Sequence, residues 1–359
     1  MYSIYYTVTN NKYPKEKYLL SNIKNIFELI TYDDDTINEV CILDNKPFVL
    51  YKKYKPDKLI IIKSYKLFDI NTLSYLINLG ADIQINNNHL FLLAMEQGYL
   101  PIIKLLIDAG ANVQAADNYP LSMACQQGNI QLIKLLIEAG ANIEDENNYV
   151  ILDAVDCDNI EVVQLLIDYG VDITVSDNEA IVYACNNNNL PMAKLLINHG
   201  VDVKADNNDA IQSACRVGNL PMIELLIANG ADIFDNNNQA IKLACINNKI
   251  EAVKLLINLG VDVTINDNYA IRKASSNGHY DMVQFLIAHG ADVTALNNYA
   301  VGAASRNGYD NIVQLLINAG ADVLDCDNYA IRLAAEHGKT STVKLLIDSG
   351  SDIRVPARR

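Results

Sequence analysis

Ten glycines recur at an interval of 30 residues, with no insertion or deletion between them. Around each glycine a similar apolar pattern returns, as in LLINAGADVLDCDNYAI at residues 315–331. Self-similarity at a fixed period of this size is typical of a solenoid. We therefore expect one stack of short repeats rather than several globular domains. The glycines are Gly80, Gly110, Gly140, Gly170, Gly200, Gly230, Gly260, Gly290, Gly320 and Gly350.

Each repeat contains two short helical patterns. In the repeat that begins at Asn298, helices are predicted over about residues 299–306 and 311–318. An asparagine precedes the first helix in all nine regular repeats, and we interpret it as a helix N-cap. A divalent-ion loop is the alternative, although it needs clustered carboxylates that the sequence lacks. The asparagines are Asn88, Asn118, Asn148, Asn178, Asn208, Asn238, Asn268, Asn298 and Asn328.

The repeat closely resembles the ankyrin repeat over about residues 57–353. Residues 334–338, AAEHG, look like its A-A-x-x-G turn, and residues 343–350, VKLLIDSG, look like its second helix. The resemblance implies an all-α solenoid of helix pairs. Ankyrin repeats usually have 33 residues, so about three are missing here, and the register places the loss in the hairpin before Tyr329. The Asn-rich repeats also resemble ankyrin-repeat proteins of mimivirus-like giant DNA viruses.

The sequence outside the regular repeats predicts three further segments. Residues 1–56 lack the repeat and are predicted to form a small α+β segment, with a helix within residues 15–30. Residues 57–80 keep the spacing but not the residues, so we interpret them as a divergent N-terminal capping repeat. Residues 81–353 form the array of nine regular repeats, and residues 354–359 are a short basic tail. The predicted strands are residues 3–9, 36–43 and 48–53.

Cysteine usage indicates a reducing compartment. Four of the seven cysteines share one position of the repeat, where three other repeats have the apolar residues Met95, Val155 and Ala335. We predict that these four, Cys125, Cys185, Cys215 and Cys245, are buried and reduced. Reduced thiols favour an intracellular, cytoplasmic location, which for a viral protein would be the host cytoplasm. No apolar run is long enough to span a membrane, so no membrane partner is expected.

No sequence motif indicates catalysis. HExxH, GxSxG, GxxxxGK[ST] and GxGxxG are all missing, and no CxxC pair offers zinc-ligand spacing. We therefore predict a protein that is not an enzyme and has no cofactor and no metal.

Charge distinguishes the N-terminal part of the chain from the repeat array. Residues 1–70 carry 11 Lys against 9 acidic residues, which leaves 17 basic against 34 acidic residues in the rest. Between Lys134 and Lys194 there are twelve acidic residues and no Lys or Arg. The acidic excess disfavours nucleic acid as a partner. Acidic residues can also simply keep an apolar solenoid soluble, and that alternative stays open.

The ankyrin resemblance implies where a partner would bind. In that family the hairpin tip and the exposed side of the first helix line a concave binding face. By register, Asp145, Glu146 and Asp156 are the acidic candidates for binding a basic segment. Comparable positions farther along carry Arg216, Lys242, Arg272, Arg306 and Arg332, so the face is expected to change sign.

These patterns predict a monomeric protein-interaction scaffold that binds a partner protein on this face by complementary shape and charge. The alternative is an adaptor that recruits substrates to a host complex such as a ubiquitin ligase.

Overall fold

The computed structural model describes residues 4–9, 36–42, 59–143 and 149–351. The chain divides into two compact units. The first unit comprises Met1–Ala154 and Glu161–Val171, and the second comprises Val155–Ile160 and Asp172–Arg359.

The N-terminal strands form one antiparallel sheet in the order β1-β2-β3. Tyr6 of β1 lies opposite Glu39 of β2, and the pairing of β2 with β3 shifts register between Glu39 and Val40. The first two strands lie where the sequence predicted them. The strand predicted at residues 48–53 and the helix predicted within residues 15–30 lie outside the described residues. The strands are β1 (Ile4–Thr9), β2 (Thr36–Ile42) and β3 (Leu59–Lys66).

The segment at residues 57–80 differs from a regular repeat. Strand β3 occupies the place of a first helix and is followed by helix α1 (Ile70–Asn78). The run Leu-Ile-Ile-Ile at residues 59–62 explains the difference, since β-branched side chains favour a strand when a partner strand is available. Helix α1 is capped by Asp69, whose carboxylate accepts the Thr72 N–H at 2.8 Å. Of the two helices of a repeat, this segment therefore has only the second.

Nine helix pairs follow α1 within the described residues. In the second compact unit, first helices pack on first helices and second helices on second helices, in chain order. In the first unit, α2 likewise packs on α4 and α1 on α3. The first helices are α2 (Ile85–Glu96), α4 (Ala115–Gln126), α6 (Tyr149–Asp156), α8 (Val175–Asn186), α10 (Ala205–Val217), α12 (Asp235–Ile246), α14 (Ile265–Asn277), α16 (Ala295–Asn307) and α18 (Asp325–Glu336). The second helices are α3 (Leu100–Asp108), α5 (Ile130–Glu138), α7 (Ile160–Asp168), α9 (Leu190–Asn198), α11 (Leu220–Ala228), α13 (Ile250–Asn258), α15 (Tyr280–Ala288), α17 (Asp310–Asn318) and α19 (Thr340–Asp348).

The core lies between the two layers of helices. Small residues such as Ala300 and Ala304 in the first helices and large ones such as Ile312 and Leu316 in the second are at most 1% exposed. Second helices of nine residues are too short to be stable alone, so packing between neighbours maintains them. The burial predicted for the four cysteines is confirmed: Cys125, Cys185, Cys215 and Cys245 are at most 1% exposed.

The glycine that marks the period ends each second helix. The ten glycines have φ between 89° and 102°, which side chains disfavour. At Gly320 the N–H donates to the Ile317 carbonyl at 3.0 Å, as is typical of a helix C-terminus. The regular period therefore follows from a backbone requirement that returns in every repeat.

A short left-handed turn replaces the longer hairpin of the ankyrin pattern. Leu296, Asn297 and Asn298 have φ of 50°, 55° and 58° and ψ of 54°, 51° and 35°, which is left-handed helical geometry. The Asn298 N–H closes the turn by donating to the Thr294 carbonyl at 2.9 Å. Among residues with a side chain, Asn and Asp tolerate this region best. The same geometry occurs at residues 86–88, 116–118, 176–178, 206–208, 266–268 and 326–328.

The last asparagine of the left-handed turn binds the next repeat. Its Oδ1 accepts a hydrogen bond from a backbone N–H 24 residues later, at 2.7–2.9 Å. The predicted N-cap role is therefore wrong for these asparagines, because their left-handed backbone directs the side chain to the following repeat. We call these bonds the Asn clamps. The pairs are Asn88 with Asn112, Asn178 with Asp202, Asn208 with Asp232, Asn268 with Asp292, and Asn298 with Asp322.

Candidate protein-interaction surface

Side chains of the first helices, outside the core, form the candidate surface. The described residues contain no group of three or more His, Cys, Asp or Glu side chains that could hold a metal ion. The ion-loop alternative for the asparagines therefore has no support in that part of the chain. None of the helices in the described ranges is long and apolar enough to cross a membrane.

The acidic candidates are only partly described. Asp145 and Glu146 lie outside the described residues. Asp156 is the last residue of α6 and is exposed, and its backbone carbonyl accepts the Asn187 side-chain N–H at 2.9 Å. The Asp156 carboxylate is therefore at the surface, at the end of a first helix, as predicted by register.

A groove in the first compact unit lies beside α4. It has a volume of about 250 Å³ and combines two carboxylates with the exposed ring of Tyr119. Asp153 accepts hydrogen bonds from Ser122 Oγ and, at 3.0 Å, from Gln126 Nε2. Asn118 donates to the Asn142 carbonyl at 2.6 Å, while its own buried Oδ1 has no partner among the described residues. The groove is lined by Ala116, Asp117, Asn118, Tyr119, Ser122, Val150 and Asp153.

Arg216 and Arg306 share the register position of Asp156, at the end of a first helix. Arg216 donates to the side-chain oxygen of Asn186, and Arg306 donates through Nε to His337 Nε2 at 3.1 Å. Both guanidinium groups are thus held by a side chain of an adjacent repeat, and both side chains are exposed.

Lys242, Arg272 and Arg332 share a second position, one helical turn earlier. Arg272 donates through Nε to the Asp267 carbonyl at 2.8 Å and through one terminal nitrogen to the Asn266 carbonyl at 3.0 Å. Arg332 makes the corresponding bond to the Cys326 carbonyl at 3.3 Å. These arginines therefore lie against the left-handed turn of their own repeat, which fixes the orientation of the guanidinium.

Tyrosines that were not among the predicted site residues lie between these cations. Tyr269 is partly buried, and Tyr299 and Tyr329 are 38% and 36% exposed. Each tyrosine lies near the preceding repeat: Tyr269 near Lys242, Tyr299 near Arg272, and Tyr329 against Gly302. The signal was present in the sequence as the recurring Asn-Tyr-Ala of the last three regular repeats.

The charges of this surface are mostly not paired with each other. Within the described residues the one ion pair joins Lys254 to Glu251, at 2.6 Å. The side chain of Lys242 is partly buried, and this burial lowers its pKa. In α10, burial and then the Asp206 charge raise the pKa of Asp209, with Arg216 acting in the opposite direction. The surface thus carries fixed cations without carboxylate partners.

Comparison with known proteins agrees with the helix-pair architecture. A family model described as ankyrin repeats (3 copies) matches residues 90–177, 151–237, 214–297 and 271–357. A search of curated proteins found no match. The matches cover most of the chain and include all the described candidate residues.

Proposed function

Because this chain belongs to the ankyrin-repeat family, whose repeats generally mediate contacts between proteins, we propose that it is a non-enzymatic scaffold that binds a partner protein. The observation that carries the proposal is the distribution of side chains on the first helices. Aromatic and charged residues recur there at fixed register positions, and the cations have no carboxylate partner among the described residues. A row of oriented polar and aromatic groups on rigid helices is suited to recognition of another protein.

The acidic repeats are proposed to bind a basic segment of a partner. Asp145, Glu146 and Asp156 fall within the stretch between Lys134 and Lys194 that has no basic residue. Like charges without counterions raise the negative potential and steer a cationic segment toward them. The exposed carboxylate of Asp156 supports this proposal, and so does the acidic groove beside Tyr119.

The direct test is reversal of Asp145, Glu146 and Asp156 to Lys, followed by affinity purification from a cell lysate and mass spectrometry. The matched control reverses three exposed acidic residues of second helices, Glu138, Glu161 and Asp168. We expect partners to be lost from the first variant and kept by the control. An unchanged partner list in the first variant would contradict the acidic docking site.

An adaptor for a host complex such as a ubiquitin ligase is the second candidate. The three-stranded sheet formed by β1, β2 and β3 supports it, because this sheet is an additional element beside the repeats. An adaptor of this kind, encoded by a mimivirus-like virus, would act as a monomer in the cytoplasm of the host cell. Its repeats would bind the substrate. The full chain should then co-purify ligase subunits, and these should be lost after charge reversal of Lys66, an exposed residue of β3. That result would support the adaptor over the simple scaffold.

A further inference from the structure

Three cations surround one tyrosine ring in the second compact unit. The distances to the ring centroid of Tyr269 are 5.6 Å from Lys242 Nζ, 5.7 Å from Arg272 Cζ and 5.5 Å from Lys273 Nζ. No carboxylate forms an ion pair with these three residues within the described ranges. Asp267, on the adjoining left-handed turn, provides only its backbone carbonyl to Arg272. Three positive charges therefore share one patch without a counterion.

The patch continues into the next repeats. Arg272 Cζ also lies 5.5 Å from the ring centroid of Tyr299, so one guanidinium lies between two rings. The next ring, Tyr329, packs against Gly302, where a Cβ atom would approach Tyr329 Cδ1 to 3.0 Å. We call this row the tyrosine–cation stripe. Its residues are Lys242, Tyr269, Arg272, Lys273, Tyr299 and Tyr329.

The stripe has the features of a preformed anion receptor. Hydrogen bonds to two backbone carbonyls fix the Arg272 guanidinium, and its remaining N–H groups form no other described hydrogen bond. Lys242 is partly buried and forms no hydrogen bond in the described part of the chain, so its ammonium group can donate to a carboxylate. The tyrosine rings add apolar area beside the charges.

We propose that the tyrosine–cation stripe binds an acidic segment of a partner protein, whose Asp or Glu carboxylates contact Lys242, Arg272 and Lys273. The inference rests on the proposed scaffold function and names the chemistry of one partner. Packed helices are about 8–10 Å apart, and an extended peptide advances about 3.3 Å per residue. Carboxylates about three residues apart would therefore reach successive repeats.

Charge favours a peptide over a nucleic acid as the occupant. The whole chain has a net charge of −15, and the stripe provides three cations within these acidic surroundings. A phosphodiester chain carries one charge per nucleotide and would be repelled beyond the stripe. A short acidic peptide, in contrast, has only a few negative charges, and these can all lie next to the cations of the stripe.

The test uses a fluorescein-labelled Gly/Ser peptide with Glu at every third position, and fluorescence anisotropy with the full chain. The stripe variant carries Lys242→Gln and Lys273→Gln. The control variant carries Lys194→Gln and Lys344→Gln, which remove the same charge from exposed positions of second helices. We expect the Kd to rise about tenfold or more in the stripe variant, as for loss of charge-assisted hydrogen bonds, and by less than about twofold in the control. Thermal unfolding of each variant checks that the fold is retained.

Two further probes separate the competing outcomes. One is the same peptide with Lys in place of Glu, and the other is a single-stranded DNA of mixed sequence. No binding of the Glu peptide, or equal binding by wild type and stripe variant, would overturn the inference. Binding of the Lys peptide alone would overturn it and leave the scaffold function intact. DNA binding that is tighter than peptide binding and is lost in the stripe variant would assign the stripe to nucleic acid instead.

Discussion

The side-chain oxygen of Asn298, a buried residue, accepts the backbone N–H of Asp322 at 2.7 Å, and this partly buried hydrogen bond joins two successive repeats. Four other Asn clamps repeat this relationship. Since each repeat in a solenoid contacts only its neighbours, every such bond contributes directly to the coupling between adjacent repeats. The high Asn content of the chain thus has a structural role.

Replacement of Asn298 by Ala should destabilise the C-terminal repeats. It leaves the Asp322 N–H without its partner, at an expected loss of about 1–3 kcal/mol in the free energy of unfolding. Asn297→Ala is the matched control, because Asn297 has the same left-handed backbone but is exposed and forms no described hydrogen bond. Urea denaturation measures the difference between the variants. That difference excludes backbone strain and reports the clamp together with the bond that Asn298 Nδ2 donates to the Asp325 carboxylate at 2.7 Å. Equal effects of the two substitutions would show that the clamp adds nothing.

Ser305→Cys should stabilise the protein. The Ser305 hydroxyl is fully buried and has no hydrogen-bond partner among the described residues. Four other repeats have a buried cysteine at this register position, so the site accepts a thiol. Removing an unsatisfied hydroxyl is expected to raise the free energy of unfolding by about 1 kcal/mol. The reverse change, Cys245→Ser, should lower it by a similar amount. In urea denaturation, a loss of stability in Ser305→Cys or a gain in Cys245→Ser would contradict this assignment.

Thiol labelling should divide six of the seven cysteines into two groups. Burial raises the pKa of Cys125, Cys185, Cys215 and Cys245 to about 12, with Asp153 and Asp209 as smaller contributors at Cys125 and Cys185. Cys157 and Cys326 are exposed. Because the thiolate is the reactive form, iodoacetamide near pH 8 should label the two exposed thiols at least about tenfold faster. Peptide mass spectrometry measures the rates, and equal labelling of all six would mean that the native packing is looser than described.

The hydrogen bonds of the Asp292 carboxylate should make the free energy of unfolding depend on pH. Its carboxylate accepts the Thr294 hydroxyl at 2.7 Å and the Thr294 N–H at 2.8 Å, and these bonds lower its pKa. A lowered pKa means that the carboxylate stabilises the fold above its unfolded pKa of about 3.9 and loses this contribution as the pH falls through the folded value. Asp292→Asn should therefore be less stable than wild type near pH 7, with a smaller difference near pH 3. Asn112, at the same register, bonds the Gln114 N–H at 3.0 Å and shows that Asn fits here. Urea midpoints at the two pH values provide the measurement.

The repeat architecture was predictable because its determinants are local and recur. The 30-residue glycine, the small residues of the first helix and the apolar second helix each specify one backbone or packing requirement. Residues 59–66 were harder to interpret. They keep the spacing of the repeat, but they are rich in β-branched residues and pair with strand β2. Pairing with a distant segment cannot be recognised from a local sequence pattern.

The role of the asparagines could not be inferred from their position alone. An Asn before a helix usually indicates an N-cap, and only the left-handed φ of Asn298 directs its side chain to Asp322. For the candidate surface, register correctly placed Asp156, Arg216, Lys242, Arg272, Arg306 and Arg332 on the first helices. It did not identify Tyr269 as the ring around which cations gather, because that depends on contacts between repeats. Asp145 and Glu146 remain predictions from the sequence.

Site-specific photo-crosslinking tests most directly whether the first helices form the partner-binding side. A photoreactive phenylalanine would replace Tyr299 of α16 in one variant and the exposed Gln314 of α17 in another, followed by irradiation in a cell lysate. The structure predicts discrete protein adducts from position 299 and none above background from position 314. Adducts from position 314 alone, or the same adducts from both positions, would contradict the claim that this protein binds its partner through the first helices.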